Sequence, residues 1–384
     1  MSAESQSFER QADQAAAVGN PQAAAELLGR ATEAAPDRVD LLAKLSAMRR
    51  ASGDLAGALD AIDRALVLSP LDFSALLARA MLLERMGDPR SGEAFDRALS
   101  QQPDSASLPA FMQSAVAHAR GRVEEHRSGV EQRLRQALPD GLSPAERRRT
   151  DRFISNSSRR TRYYPQEPSH FHYPGLPTEE FHPRDQFPEL DELERATDAI
   201  LAEFRQLMDA EAREIVPYIQ YSGQVPLRQW KALNNSSNWS AMHLLRNGAV
   251  IESNARHCPQ TMALLARMPQ PQVAGASPNA MFSLLAPRTR IPAHTGVANT
   301  RLVCHVPLIV PPHCGFRVGA TTREWQVGEA FVFDDTIEHE AWNDSDELRV
   351  VLIFDLWPPA LSPAERTAVA ALIPAAGVGF SGAL

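Results

Sequence analysis

The sequence predicts an α+β chain built in two parts: a stack of helical repeats, then an antiparallel β sandwich or barrel. Three observations carry this. The first hundred residues repeat, because Gly19-Asn20, Gly53-Asp54 and Gly87-Asp88 are spaced by 53 − 19 = 34 and 87 − 53 = 34. Between residues 147 and 190 the composition shifts to proline, aromatics and histidine. From about Ile215 onward, short apolar or alternating runs are punctuated by Gly, Pro and Asn, the pattern of several short strands. At 384 residues the chain also exceeds one typical domain, so two compact units are expected.

In the repeat region each Gly pair precedes a helix-like block, at 23–28, 58–66 and 93–99, and each block is followed by Pro36, Pro70 or Pro103. Small alanines recur where paired helices must approach closely. A 34-residue period with glycine at the inter-helix turn and proline after the second helix resembles the tetratricopeptide repeat (TPR), although the aromatic consensus positions are mostly missing. One such unit cannot bury its apolar face alone, so about three are needed for a stable stack. A plain helical bundle is the alternative, and both are helical. The TPR-like domain is assigned to residues 1–140.

A connecting strap is assigned to 141–190. Pro165, Pro168, Pro174, Pro177, Pro183 and Pro188 interrupt any helix there, since proline lacks the amide donor and clashes one turn back. Tyr163, Tyr164, Phe171, Tyr173 and Phe181 suggest a strap packed on a domain more than a free tether. Ser143-Pro144-Ala145-Glu146 and Ser362-Pro363-Ala364-Glu365 read as helix starts, with a serine cap and a glutamate reaching back. The last domain, 191–384, opens with one helix over about 191–208, whose Leu193, Ala196, Ile200, Phe204 and Leu207 share a side. Strands are expected at 281–285, 301–309, 316–318, 329–333 and 349–357.

Bulk properties exclude several function classes. Hydrophobic content of 44% with 22% charged residues suits a globular protein with a sizeable core. The formal charge of −8 argues against nucleic-acid binding, and the arginine cluster of residues 147–162 reads as a solvated face or linker. Cys258, Cys304 and Cys314 are too few for a disulfide framework, which points to a reducing compartment. The opening Met1-Ser2-Ala3-Glu4-Ser5-Gln6 lacks the pattern of a secretory signal, and no run approaches a membrane span. A cytoplasmic address is expected.

The chemistry concentrates between His294 and Pro358. Strand alternation puts Arg301, Val303 and His305 on one face, and Leu302, Cys304 and Val306 on the other. A face mixing arginine and histidine resembles the wall of a polar pocket rather than core filling. His294 and His339 are metal candidates, because neutral imidazole is a good ligand for Fe(II). Taken singly, each histidine is equally well a core histidine with satisfied hydrogen bonds. Gly296 leaves room beside His294, and Asp334-Asp335 ahead of His339 suit either a turn with Asx-type bonds or orientation of an imidazole or a metal-bound water. Arg349, ten residues after His339, suits a metal-bound 2-oxo acid whose far carboxylate it would grip.

With these phrases in hand, the chain from about Tyr173 to Pro359 resembles the aspartyl/asparaginyl β-hydroxylase family of Fe(II)- and 2-oxoglutarate-dependent oxygenases. The resemblance rests on Tyr173-Pro174-Gly175-Leu176-Pro177, His294-Thr295-Gly296, Arg301 with His305, Gly328-Glu329, Phe333-Asp334-Asp335-Thr336-Ile337-Glu338-His339-Glu340 and Asp355-Leu356-Trp357. Animal members also carry helical repeats before the oxygenase domain. The resemblance implies a double-stranded β-helix (jelly-roll) fold with His294 and His339 as iron ligands. Gly296 stands where related oxygenases carry a third, carboxylate ligand. It further implies Arg349 and Ser283 at the distal carboxylate of 2-oxoglutarate, His305 near the oxo acid, and Arg301 at the cosubstrate pocket. Asp335 joins the catalytic set. Fe(II), 2-oxoglutarate and O2 would together yield succinate, CO2 and a hydroxylated substrate.

One departure bears on the substrate. Animal members carry a second arginine where this chain has Val303, and Arg301, Arg317 or Arg288 are the candidates to replace its charge. Three functions follow as expectations. The first is a hydroxylase of an Asp/Asn-like side chain in a peptide or protein, with the repeats binding substrate or another protein partner. The second is a hydroxylase of a lipid or small metabolite. The third is a catalytically silent TPR scaffold. A zinc hydrolase fits poorly, because catalytic zinc usually takes three protein ligands.

Overall fold

The computed structural model describes residues 3–104, 108–221 and 227–377. The chain divides into two compact units, residues 1–161 and 162–384.

The first unit is a succession of helices: α1 (Ala3–Ala17), α2 (Pro21–Ala34), α3 (Val39–Ala51), α4 (Leu55–Leu68), α5 (Phe73–Arg85), α6 (Ser91–Leu99), α7 (Ala110–Gln136) and α8 (Pro144–Ser157). All three Gly-Asn and Gly-Asp dipeptides turn the chain, and the first two also cap the helix that follows. Gly19, Gly53 and Gly87 take positive φ of 76°, 90° and 70°, which glycine adopts without strain. Asn20 and Asp54 then accept from the Ala23 and Gly57 amides, capping α2 and α4. The alanines occupy the tight contacts: Ala24, Ala31, Ala58, Ala61, Ala65, Ala80 and Ala98 are fully buried. Successive leucines of α3 serve two adjacent cores, Leu41 and Leu45 packing with Leu28, and Leu42 with Ile62. This is a helical repeat stack resembling the TPR.

The structure draws the boundary between the units at 161/162 rather than at 140/141. The Ser143 capping box starts α8, and Arg159 and Arg160 reach Asp96 and Glu124 of the same unit at 2.5 and 2.6 Å. These pairs engage two of the seven arginines of the cluster. The remaining strap belongs to the second unit.

That unit contains α9 (Leu190–Arg195), α10 (Thr197–Asp209), α11 (Glu252–Ala255), α12 (Pro259–Leu265) and α13 (Pro363–Ala375). The helix expected over 191–208 is thus two, broken where Ala196 leaves helical geometry, yet Leu193, Ile200, Phe204 and Leu207 are all buried as its spacing requires. The strands are β1 (Val216–Pro217), β2 (Trp239–Arg246), β3 (Ala249–Val250), β4 (Ala280–Leu285), β5 (Thr289–His294), β6 (Leu302–Ile309), β7 (Cys314–Val318), β8 (Thr321–Arg323), β9 (Phe331–Phe333), β10 (His339–Asn343) and β11 (Arg349–Leu356). Seven form one antiparallel sheet in the order β1-β2-β4-β11-β6-β9, with β3 on β2. The other sheet runs β5-β10-β7-β8.

Period-two alternation divides the larger sheet into two faces. Leu302, Cys304, Val306, Val350, Leu352 and Phe354 pack with Phe282 beneath α9, α10 and α12. Val303, Val351 and Ile353 point the other way, onto Phe316, Val318 and Ala341 of the smaller sheet. The two sheets therefore face each other, and the cavity opens between them. Phe282 is fully buried in the helix-side core and 5.0 Å from the Phe204 ring, so Phe282→Ala should cost roughly 3–5 kcal/mol, read as a lowered denaturation midpoint in urea.

Candidate active site

The antiparallel pairing of β5 with β10 places His339 opposite His294, and their ring centroids lie 4.0 Å apart. Each imidazole is oriented from behind. His294 Nδ1 lies 2.8 Å from the Pro292 carbonyl, and His339 Nδ1 lies 3.0 Å from that of Ile337. A carbonyl only accepts, so both Nδ1 atoms carry the proton and both Nε2 atoms keep a lone pair. Burial holds both rings neutral, with the pKa of His294 pushed down to about 3 and that of His339 to about 4.

Arg349 opens β11 and is only 2% exposed. Among the described residues no carboxylate pairs with it. Its Nη1 makes long contacts to the Ser283 carbonyl and Oγ at 3.5 and 3.4 Å, and its buried Nε has no partner. The guanidinium lies 4.9 Å from the Trp325 ring centre, a cation–π contact. Burial lowers its pKa to about 10, so it stays charged at neutral pH. Ser283, beside it on β4, accepts from both Arg349 Nη1 and Trp239 Nε1, which leaves the hydroxyl proton for another acceptor. Trp325 Nε1 donates to His305 Nδ1 at 3.3 Å, so the other nitrogen of His305 bears the proton and can donate. His305 is held neutral by burial and by the Arg349 charge.

Arg301 behaves differently. Its guanidinium is buried against two carboxylates, Asp335 at 2.9 Å and Asp355 at 3.3 Å. The other Asp355 oxygen accepts from the Ser277 hydroxyl and from the Asn279 amide and side chain. Asp335 keeps one buried oxygen without a partner among the described residues. Burial raises the Asp335 pKa, and the Arg301 charge opposes that rise. The Asp335 carboxylate lies against Gly296, so close that any side chain at 296 would overlap it. Asp334 is the turn former of the acidic pair, accepting from the Thr336 amide and hydroxyl through Oδ1 and from Gln166 through Oδ2.

Ser283, His294, Arg301, His305, Asp335, His339 and Arg349 all line one cavity of about 290 Å³. Its remaining wall includes Tyr218, Trp230, Trp239, Met281, Ile291, Val303, Phe316 and Phe333. Tyr218 stacks on Trp239 at 3.8 Å, and Trp230 stands edge-on to His294 at 4.9 Å. Among the described residues no group of three His, Cys, Asp or Glu side chains is set to hold a metal ion. The protein thus offers an imidazole pair with Gly296 alongside.

Sequence reasoning missed two contributors, the role of Asp355 and the aromatic wall with Trp325. Asp355 lay within reach, because alternation from Arg349 through Val351 and Ile353 ends on it. The aromatic wall and Trp325 carry no local signal. The strap hydrogen-bonds to both histidine-bearing loops: Ser169 and His170 amides donate to Gly296 and Val297, and the Glu167 amide to Thr336. Arg317 and Arg288 stand outside the cavity lining, paired with Glu338 and Glu340, and with Asp346.

Residues 194–359 match the family model described as Aspartyl/Asparaginyl beta-hydroxylase. The chain is 34% identical over 209 residues to aspartate beta-hydroxylase domain-containing protein 2 of Homo sapiens, covering 53% of this chain and 54% of the relative. It is 35% identical over 181 residues to the ornithine lipid ester-linked acyl 2-hydroxylase of Rhizobium tropici, covering 46% and 60%. The chain spans somewhat over half the length of these relatives. The helical unit is similar to the Sgt2 TPR domain of Aspergillus fumigatus, with a TM-score of 0.29 and 20% identity over 37% of this chain and 91% of that one, a likeness too distant to bear on function.

The buried imidazoles make a stability prediction for the metal-free protein. Unfolded histidines take up protons near pH 6.5, whereas the folded pair refuses them until about 3 to 4. The unfolded state then binds more protons across that window, so stability present above pH 6.5 is lost as pH falls through it. Urea denaturation at steps from neutral pH to about 4 should show this slope, and replacing both residues by glutamine should flatten it.

Proposed function

We propose, from the premise that residues 194–359 belong to the aspartyl/asparaginyl β-hydroxylase family, that this chain is an Fe(II)- and 2-oxoglutarate-dependent dioxygenase that hydroxylates a C–H bond. The observation that carries the reading is Arg349. A buried guanidinium without a carboxylate partner is costly, and it shares a cavity with two imidazoles whose Nε2 lone pairs are free. A cation there needs an anion to complete it. A dicarboxylate chelating a metal at one end and meeting Arg349 at the other meets that need.

The residues fit the group. Neutral His294 and His339 suit Fe(II). Gly296 contributes no carboxylate, and the unpartnered Asp335 oxygen can accept from a water that completes the site. When bound, Fe(II), 2-oxoglutarate and O2 supply oxidative decarboxylation to succinate and CO2 together with hydroxylation of the substrate. Arg349 grips the distal carboxylate, Ser283 donates its hydroxyl proton to the same group, and the protonated nitrogen of His305 donates toward the oxo acid. The facing sheets support the double-stranded β-helix expected for such a centre. Arg301 takes a different role from the cosubstrate contact expected of it, since its charge is spent on Asp335 and Asp355. It holds Asp335 in place. The aromatic wall excludes water from the reacting C–H.

The family points to an Asp/Asn-like side chain of a peptide as substrate, with the repeats docking the partner that carries it. The Rhizobium relative, named for acyl 2-hydroxylation, supports a lipid as the second reading. A silent scaffold is disfavoured, because an inert cavity gains nothing from the uncompensated Arg349 charge.

An anaerobic titration with Fe(II) and 2-oxoglutarate tests the reading without knowledge of the substrate. A visible metal-to-ligand charge-transfer band that bleaches on admitting O2 is expected, and absence of any band would sink the assignment. His339→Ala should abolish the band while circular dichroism stays unchanged. Arg349→Ala should keep metal binding but weaken 2-oxoglutarate by about 30-fold or more, the scale for removing one partner of a buried charge pair.

A further inference from the structure

We propose that Gln166 is a positioning residue for the imidazole pair. Its carboxamide ties the chain leaving His294 to the chain approaching His339, and so sets the separation at which both Nε2 atoms meet a metal ion. This rests on the oxygenase reading and deepens it.

The sheet fixes the pair from one side only. His294 is the last residue of β5 and His339 the first of β10, paired directly opposite each other. Beyond them the ladder stops, and residues 295–301 and 334–338 leave as loops. A third protein ligand would add a geometric constraint of its own. Gly296 supplies none, so the bite between the two imidazoles depends on how firmly their loops are held.

The strap does this holding. Gln166 stands opposite Ile337 in an antiparallel bridge and Phe171 opposite Ala298 in a parallel one, so residues 166–171 lie between the loops. Strap amides reach both sides, Glu167 donating to the Thr336 carbonyl at 2.8 Å and Ser169 to that of Gly296 at 3.0 Å. Backbone bonds of this kind persist through most side-chain substitutions. The Gln166 side chain is different, because one planar group reaches both loops at once. Its Nε2 donates to Asp334 Oδ2 at 2.5 Å and to the Pro177 carbonyl at 3.2 Å. Its Oε1 accepts from Asn299 Nδ2 at 3.1 Å. Asp334 lies 339 − 334 = 5 residues ahead of His339, and Asn299 lies 299 − 294 = 5 residues after His294.

Neither anchor is free to turn away. Asn299 and Asp334 are both buried. Asn299 also accepts from the Tyr173 amide and donates to the Tyr173 carbonyl. Asp334 Oδ1 is taken by the Thr336 amide and hydroxyl. Removing the carboxamide leaves each anchor with an unmade bond in a buried place, which costs more than the net worth of the bond. The loops then shift to recover partners, and that shift moves one imidazole relative to the other.

The test titrates full-length protein with Co(II), followed by visible absorption, with no 2-oxoglutarate and no turnover. Gln166→Ala should weaken Co(II) binding by about tenfold, the lower end for removing a group that orients metal ligands, with circular dichroism unchanged. Gln166→Met keeps the volume and drops the bonds, and should match it. Gln166→Glu sets two carboxylates face to face and should be at least as weak. Adding Asp334→Asn to Gln166→Glu exchanges donor for acceptor at unchanged net charge, and should restore affinity to within about twofold of wild type. A purely structural bond would lower the urea midpoint and leave Co(II) affinity as it was, a result that overturns the proposal. So does a double variant no better than Gln166→Glu alone. Should Gln166→Ala lose its fold, Gln166→Met and the double variant carry the same comparison. A wild-type protein that binds neither Co(II) nor Fe(II) with 2-oxoglutarate defeats the oxygenase reading, and this role falls with it. Wild-type binding with indifferent variants defeats the role of Gln166 alone.

Discussion

The second unit is organised around one buried ion pair that is shared three ways, Arg301 between Asp335 and Asp355. Neither carboxylate could sit this deep without the guanidinium, and the guanidinium could not be buried without them. The consequences run outward. Asp355, next to last in β11, anchors the Ser277–Asn279 turn before β4. Asp335 begins the loop to His339, and its carbonyl accepts from the Gly296 amide at 2.7 Å, two residues past His294. The two histidine loops and the far end of the Arg349 strand are therefore referred to a single charged point. Arg349 at the near end is left without a counter-charge among the described residues.

Alternation does the rest. In β6 and β11 one set of side chains is apolar and lies under the helices, and the other is mixed and lines the cavity. A sheet covered on both faces normally reads as an unbroken apolar run. Here the departures from apolarity, at His305, Arg349 and Asp355, fall on the cavity side, as does Arg301 just ahead of β6.

That regularity explains how much was legible in the sequence. The repeat turns followed from the Gly-Asn and Gly-Asp spacing because glycine in a left-handed turn and an acidic or amide cap are local requirements. Both Ser-Pro-Ala-Glu helix starts formed capping boxes for the same reason. The convergence of Ser283, His294, His305, Asp335, His339 and Arg349 on one cavity was foreseeable from strand parity and family phrases. What escaped depends on pairing across long separations. The neutralisation of Arg301 needs a partner 54 residues away. The aromatic wall draws on residues from Tyr218 to Phe333, and the placement of α8 in the first unit depends on ion pairs to α6 and α7. None of these leaves a periodic trace.

Gly296 has a historical implication. The space beside His294 that a side chain would need is filled by the Asp335 carboxylate, which is in turn tied to Arg301. Introducing an aspartate at 296 would force two carboxylates into one volume and strip Arg301 of a partner. A three-ligand centre is thus unreachable by any single substitution at that position. Asp335 and Arg301 would have to change first, and each change alone leaves a buried charge stranded. The two-histidine arrangement works as a ratchet, easy to keep and hard to leave.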